Sequence, residues 1–160
     1  MAEYSVTKYQ PCCEWVICKE NRLPYHALSA GNLNGRPVYV ARAVHENETL
    51  VGWAQPDAAC CYVSWSGGAF GHEDYQCLAT EHPEKFDWVP ASDGQLPYGA
   101  VQGGRAGDGE PLYIGRVVND GEVYVGKVHP GHHVLYVAQD DQELSFRDYE
   151  VLVCKTLDLC

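Results

Sequence analysis

The sequence predicts an all-β chain built from two tandem, pseudo-symmetric antiparallel units. Three observations predict it: an internal repeat, short β-rich runs cut by turn residues, and no stretch that keeps helical periodicity for three turns. The repeat is the strongest. Trp15-Val16, Leu23-Pro24-Tyr25-His26-Ala27 and Gly31 reappear 73 positions later as Trp88-Val89, Leu96-Pro97-Tyr98-Gly99-Ala100 and Gly104. One residue is then gained, and the offset becomes 74. Pro37–Arg42 lies over Pro111–Arg116, Glu48 over Glu122, Val51-Gly52 over Val125-Gly126, Pro56 over Pro130, Tyr62-Val63 over Tyr136-Val137, and Asp74–Leu78 over Asp148–Leu152. So many aromatic, glycine and proline matches in one register, with a single insertion, indicate a tandem duplication.

Each element follows from composition. In the second unit, Trp88-Val89, Ala100-Val101, Leu112–Val118, Val123–Val125, His133–Ala138 and Tyr149–Val153 are short β-branched and aromatic runs. Ser92-Asp93-Gly94, Gly107-Asp108-Gly109 and Asn119-Asp120-Gly121 separate them. The last of these predicts a hairpin, since Asp and Gly tolerate positive φ. Five or six strands per unit are expected. The units run 15–80 and 88–154, joined by a linker at 81–87, with an N-terminal extension 1–14 and a C-terminal tail 155–160. Identical edges in both units admit strand exchange between them.

At 160 residues the chain can bury roughly 70% of its unfolded surface without a metal or disulfide staple. Eleven basic against 22 acidic residues give a formal charge of −11, which argues against nucleic acid and against insertion into an anionic membrane. The polar start MAEYSVTKYQ has no apolar signal core, so a cytoplasmic protein, or one secreted without a signal peptide, is expected. Among readings of the eight cysteines, reduced thiols lead, ahead of disulfides and of structural zinc, for which no C-x-x-C pair is present. No cofactor is expected. No nucleophile elbow or phosphate loop is present, so no enzyme is predicted. His129-Pro-Gly-His-His133 is a cluster whose last two members would point to opposite faces of a strand, which disfavours a metal site.

The order W-V, L-P-Y-G-A-V-x-G-G, L-Y-I-G-R, G-K-V-x-P and Y-E-V-L-V resembles the DM-nine repeat, over about 15–154. That resemblance implies a β-rich module of tandem pairs, and carbohydrate binding as the leading function. It implies mannose or mannose-rich glycans as partners, in pattern recognition of innate immunity. The alternative is a non-catalytic protein-interaction or stress-response module. By resemblance, the sugar contacts in the second unit are the G-K lysine, Lys127, and an acid after the glycine-rich segment. The tightest register puts Ala106 at that acid, with Asp108 the nearest carboxylate and Glu122 a further one. In the first unit Trp53 replaces the lysine, and Asn34 and Glu48 complete an altered pocket.

The chemistry is independent of resemblance. A carboxylate accepts hydrogen bonds from vicinal sugar hydroxyls while an ammonium donates to the same oxygens. An aromatic such as Trp53, Trp65 or Tyr113 would cover the C–H face. One shallow site of this kind binds in the millimolar to high-micromolar range, and a second site or a homodimer would raise avidity. Lys127→Ala is expected to weaken binding and spare the fold, and His129, two residues away, to make affinity sensitive to mild acid. Arg42 and Arg116 are expected to make structural ion pairs with Asp74/Asp148 or Glu48/Glu122, and Trp15 and Trp88 to anchor the core.

Overall fold

The computed structural model describes residues 12–18, 22–56 and 59–155. They form an all-β protein. The first half contributes β1 (Glu14–Cys18), β2 (Ser29–Leu33), β3 (Arg36–His45), β4 (Glu48–Ala54), β5 (Cys61–Trp65), β6 (Gly68–His72) and β7 (Tyr75–Ala79). The second contributes β8 (Phe86–Ser92), β9 (Gln102–Arg105), β10 (Pro111–Asn119), β11 (Glu122–His129), β12 (Val134–Gln139), β13 (Gln142–Phe146) and β14 (Asp148–Cys154).

Antiparallel pairing runs β1-β7-β3-β4-β5-β6-β13-β12-β11-β10-β14-β8, with β2 on β3 and β9 on β10. Read inward from either end, this is one order used twice, which is compatible with duplication. Short turns fix the registers. Asn34-Gly35, Glu46-Asn47, Ser66-Gly67 and Asp120-Gly121 each hold two successive positive φ values between paired strands, and their backbone twist suits a tight hairpin.

Seven strands per half exceed the five or six expected. The additions include β6 (GAFGH) and β13 (QELSF), whose glycines and polar residues carry little strand propensity. Register across the preceding turns, not composition, makes them strands. β8 begins at Phe86, opposite Cys154, so two residues read as linker are already paired. The His129–His133 segment is also different from expectation. Pro130–His132 is a 3-10 turn and His133 is left-handed at φ 67°, so the two histidines do not alternate along a strand.

The halves interpenetrate. Gln142 pairs with Gly68 between β13 and β6, and Thr49 of β4 pairs with Arg105 of β9. One core cluster takes Val38, Val40 and Leu78 from the first half with Ile114, Val125, Leu135 and Leu152 from the second. A smaller one takes Leu50, Cys61, Val63, Tyr75 and Cys77 with Leu112. Cys13, Cys18, Cys60, Cys61 and Cys77 carry free thiols, while Cys12 Sγ lies 3.0 Å from Cys154 Sγ. Cys160 lies outside the described residues. Burial pushes the Cys13 thiol up to about 11, and the Cys61 and Cys77 thiols further, so these groups stay protonated and unreactive at neutral pH.

Two arginines at equivalent positions stitch the halves together. Arg42 donates from Nε to Gln76 Oε1 (2.7 Å) and from Nη1 to the Gly103 carbonyl of the other half (3.1 Å). Arg116 donates to Glu150 Oε1 (2.7 Å) and to the Ala30 carbonyl of the first half (2.8 Å). Their guanidinium carbons lie 4.2 Å above the Trp15 ring and 4.7 Å above the Trp88 ring, so the half-buried indoles are cation–π floors. Their side-chain partners are thus Gln76 and Glu150 rather than Asp74/Asp148 or Glu48/Glu122. Strand register explains it, because Arg42 sits opposite Gln76 and Arg116 opposite Glu150.

Two expectations follow. Arg116→Met should lower unfolding free energy by about 2–3 kcal/mol in urea denaturation, from lost charge-assisted bonds. Arg42→Met should cost less, because Gln76 leaves no stranded charge. Gly52→Ala and Gly126→Ala should each cost about 3 kcal/mol, because the new Cβ would collide with the Tyr62 and Tyr136 carbonyl oxygens, which are backbone and cannot turn aside.

Candidate functional site

Lys127 lies on β11, in a strand whose last six residues are all buried, so an ammonium arrives where an apolar side chain would normally sit. Its side chain is 6% exposed. A buried ammonium needs acceptors. Nζ donates to the Ser64 carbonyl of the other half at 2.7 Å and faces Glu143 Oε2 at 3.3 Å. Tyr136, opposite on β12, places its ring centroid 5.4 Å away. Burial lowers the Lys127 pKa from 10.5, and the attraction of Glu143 and Glu48 opposes that shift.

Glu143 is as buried as its partner, at 9% exposed. Its Oε1 accepts from the Gly67 N–H at 2.9 Å, in the β5–β6 turn. Its Oε2 has ion-pair contact with Lys127 but no hydrogen bond. That oxygen is itself closed to solvent, and the pair borders an open cleft of about 450 Å³, lined by Glu48, Trp65, Asp108, Lys127, His132 and Tyr136 among others. Glu48 reaches the wall from β4, and its Oε2 accepts a long 3.4 Å bond from Trp65 Nε1. Asp108 is exposed at the rim, in the β9–β10 turn, with Oδ1 accepting from the Glu110 N–H at 2.9 Å.

The histidines form one flank. His129 stacks on His132 with centroids 3.6 Å apart, and its Nε2 lies 3.0 Å from Glu110 Oε1. His132 Nδ1 lies 3.0 Å from the Tyr136 hydroxyl. Burial, then the neighbouring His132, lowers the His129 pKa. Among the described residues no group of three or more His, Cys, Asp or Glu is placed to hold a metal ion.

The structure therefore regroups the six residues singled out in the sequence. Asp108 and Lys127 of the second half meet Glu48 of the first, whereas Glu122 lies apart from them. Glu122 Oε2 instead accepts from the Asn34 N–H at 2.7 Å. Grouping by unit fails because the halves exchange faces, so each cleft-forming set is drawn from both. Glu143, Tyr136 and His132 were missed as cleft residues. His132 stood out in the sequence only as part of the His129–His133 cluster, and Glu143 was a lone acid in a polar strand.

Trp53 explains the other half. It occupies the Lys127-equivalent position and donates from Nε1 to the Ala138 carbonyl at 2.9 Å, the equivalent of Ser64. Its ring packs 4.9 Å from Tyr62, as Lys127 packs on Tyr136. An indole thus makes the ammonium's backbone bond and fills the space without a charge.

Comparison with known proteins gives the fold and the family. In solved structures the fold is similar to the nematode sperm cell motility protein MFP2B, with a TM-score of 0.63 and 16% identity. The match covers 94% of this chain and 51% of that one, so this chain spans about half that protein's length and shares its fold. No curated protein matches. The family model for the DM9 repeat matches residues 32–146, from the β2 strand through β13. With most of its length matched by that model, and with the Gly-Lys of β11 at the centre of its cleft, the chain belongs to the DM9 repeat family.

Proposed function

We propose that this protein is a non-catalytic lectin whose binding site is the Lys127 cleft, with mannose or mannose-rich glycans as ligands in innate pattern recognition. The observation that carries the reading is the buried Lys127–Glu143 pair lining an open cleft together with Glu48, Asp108, Trp65 and Tyr136. A third N–H of Lys127 remains for a ligand oxygen, and Glu48 and Asp108 offer acceptors along the wall. Vicinal hydroxyls, each donor and acceptor, match that alternation. Trp65 and Tyr136 supply flat faces for ring C–H groups. Family membership supports carbohydrate binding. With Trp53 closing the equivalent position, one chain offers one such site, and avidity would come from a homodimer. Reduced, high-pKa thiols suit a cytoplasmic protein or one exported without a signal peptide.

A protein-interaction role is the second reading, and one observation favours it. Tyr25 and Tyr98, at equivalent positions of the two Leu-Pro-Tyr turns, are 93% and 83% exposed. Exposed tyrosines are frequent anchors in interfaces. A Tyr25→Ser/Tyr98→Ser variant with unchanged sugar binding would leave that role as a separate matter.

The burial of the pair changes the mutational expectation. Lys127→Ala would strand a buried carboxylate and cost about 3–5 kcal/mol, so it does not spare the fold. The double variant Lys127→Met/Glu143→Gln removes both charges together. Calorimetry with mannose should give binding in the millimolar to high-micromolar range for the native chain. It should give no heat for the double variant, with circular dichroism unchanged. Retained binding in the folded double variant would move the site elsewhere.

The pH profile has two limbs. Because burial lowers the Lys127 pKa, the ammonium loses its proton below the ordinary 10.5, and mannose affinity should fall on an alkaline limb beginning below that value. His129 and His72 are both lowered from 6.5, burial first and a neighbouring histidine second. Below that pH the unfolded chain binds more protons than the folded one, so stability should fall as pH drops through 6.5. Chemical denaturation at a series of pH values reads this directly. A mannose affinity flat from about pH 5 to 8 would remove His129 from any part in binding.

A further inference from the structure

We propose that Cys12 and Cys154 form a reversible disulfide that locks the two ends of the strand path together. The oxidant is a small disulfide such as oxidised glutathione, acting by thiol–disulfide exchange. Neither cysteine is among the residues lining the Lys127 cleft, so the bond is independent of any sugar.

The antiparallel path begins at β1 and ends at β14 and β8. Among the described residues no backbone pairing joins β1 to β14 or β8. Side chains close that seam. Cys12 precedes β1 and Cys154 ends β14, and their sulfurs are 3.0 Å apart although 142 positions separate them in sequence. Each backbone is pinned by bonds of its own. The Cys12 carbonyl accepts from Thr80 Oγ1 at 2.6 Å, just past the end of β7. The Cys154 N–H donates to the Gly99 carbonyl at 3.0 Å, and the next residue, Lys155, donates to the Lys85 carbonyl at 2.8 Å. Anchored backbones whose sulfurs already touch need only side-chain adjustment to bond.

The core thiols are placed differently. Cys18, Cys61 and Cys77 are buried in the smaller core, closed to a bulky oxidant and held protonated by burial. Cys13 adjoins the pair, but burial and then the Cys12 and Cys154 sulfurs push its pKa up to about 11, which makes it the poorer attacker. Cys12 is half-buried whereas Cys154 is 6% exposed, so exchange starts at Cys12. Its thiolate attacks one sulfur of the glutathione disulfide, forming a mixed disulfide and releasing a glutathione thiolate that takes up a proton. The Cys154 sulfur, already in contact, gives up its proton and displaces the second glutathione from Cys12. Two protein thiols are oxidised, the S–S bond of the oxidant is reduced, and two glutathione thiols leave. Excess reduced glutathione runs the same steps backwards. The closed bond ties the first strand of one half to the last strand of the other, and so restricts the unfolded chain over most of its length.

The test incubates the full chain in glutathione buffers running from reduced to oxidised, quenches by alkylation, and maps the peptides by mass spectrometry. Oxidation should remove two alkylation sites, join Cys12 to Cys154, and raise the thermal midpoint by about 10 °C. Dithiothreitol should reverse all three changes. Cys154→Ser should keep the midpoint of its reduced form in every buffer, whereas Cys13→Ser should respond as the native chain does. Should Cys154→Ser fail to fold, the peptide map of the native chain decides alone. An unchanged thiol count, a lasting glutathione adduct on Cys12, or a bond through another cysteine in place of this pair would overturn the inference. So would a Cys12–Cys154 bond that left the thermal midpoint where it was.

Discussion

Each half of this protein holds the other by an arginine that bonds a backbone carbonyl of the opposite half. Arg42 reaches Gly103 and Arg116 reaches Ala30, each resting on a tryptophan. The bonds are reciprocal, so neither half can shift without unsatisfying a buried group in the other. Because the carbonyls belong to β9 and β2, the arginines also fix the two strands that lie off the main pairing path. Everything at the cleft follows from that docking, including the approach of Glu48 to Lys127.

The buried ion pair beside the cleft costs stability. A strand with an unbroken run of buried residues would be more stable with an aliphatic side chain at position 127, since a buried ion pair rarely recovers its full desolvation cost. Here the pair is held by a backbone carbonyl from one half and a turn N–H beside it, and the second carboxylate oxygen faces the ammonium. Local rules violated at one point of an otherwise consistent fold mark a candidate functional site. Trp53 shows the alternative at the symmetric position, where the same bond is kept and the charge is gone.

Much of the fold is legible in the residues because the sequence repeat writes it twice. Turn pairs such as Asp120-Gly121, the β-branched runs of β10, β12 and β14, and the Trp-Val openings each carry a local physical signal. The short strands β6 and β13 carry none, being glycine-rich and polar, and only hairpin register makes them strands. The cleft was half legible. Lys127, Asp108 and Glu48 stood out by type, and a repeat was the natural frame for grouping them. What a linear reading cannot see is that docking exchanges faces between units, so residues 79 positions apart, Glu48 and Lys127, share a wall while Glu122 and Lys127, five apart on one strand, do not. Glu143 gained its importance only from burial, which its polar neighbourhood concealed.

The equivalence of Lys127 and Trp53 has a wider consequence. Both satisfy a carbonyl that the fold buries, at Ser64 or at Ala138, so whatever occupies that position must be long enough to reach the carbonyl and must carry an N–H or O–H when it gets there. Leucine or valine would leave the carbonyl orphaned, and serine would fall short. Architecture thus hands drift a short alphabet of replacements at the centre of each cleft. Within that alphabet a positive letter keeps a charge beside the cleft and an aromatic one turns it into a wall. Diversification of a chain with such a repeat is then a choice between two permitted outcomes, made separately in each half, with the scaffold indifferent to which is taken.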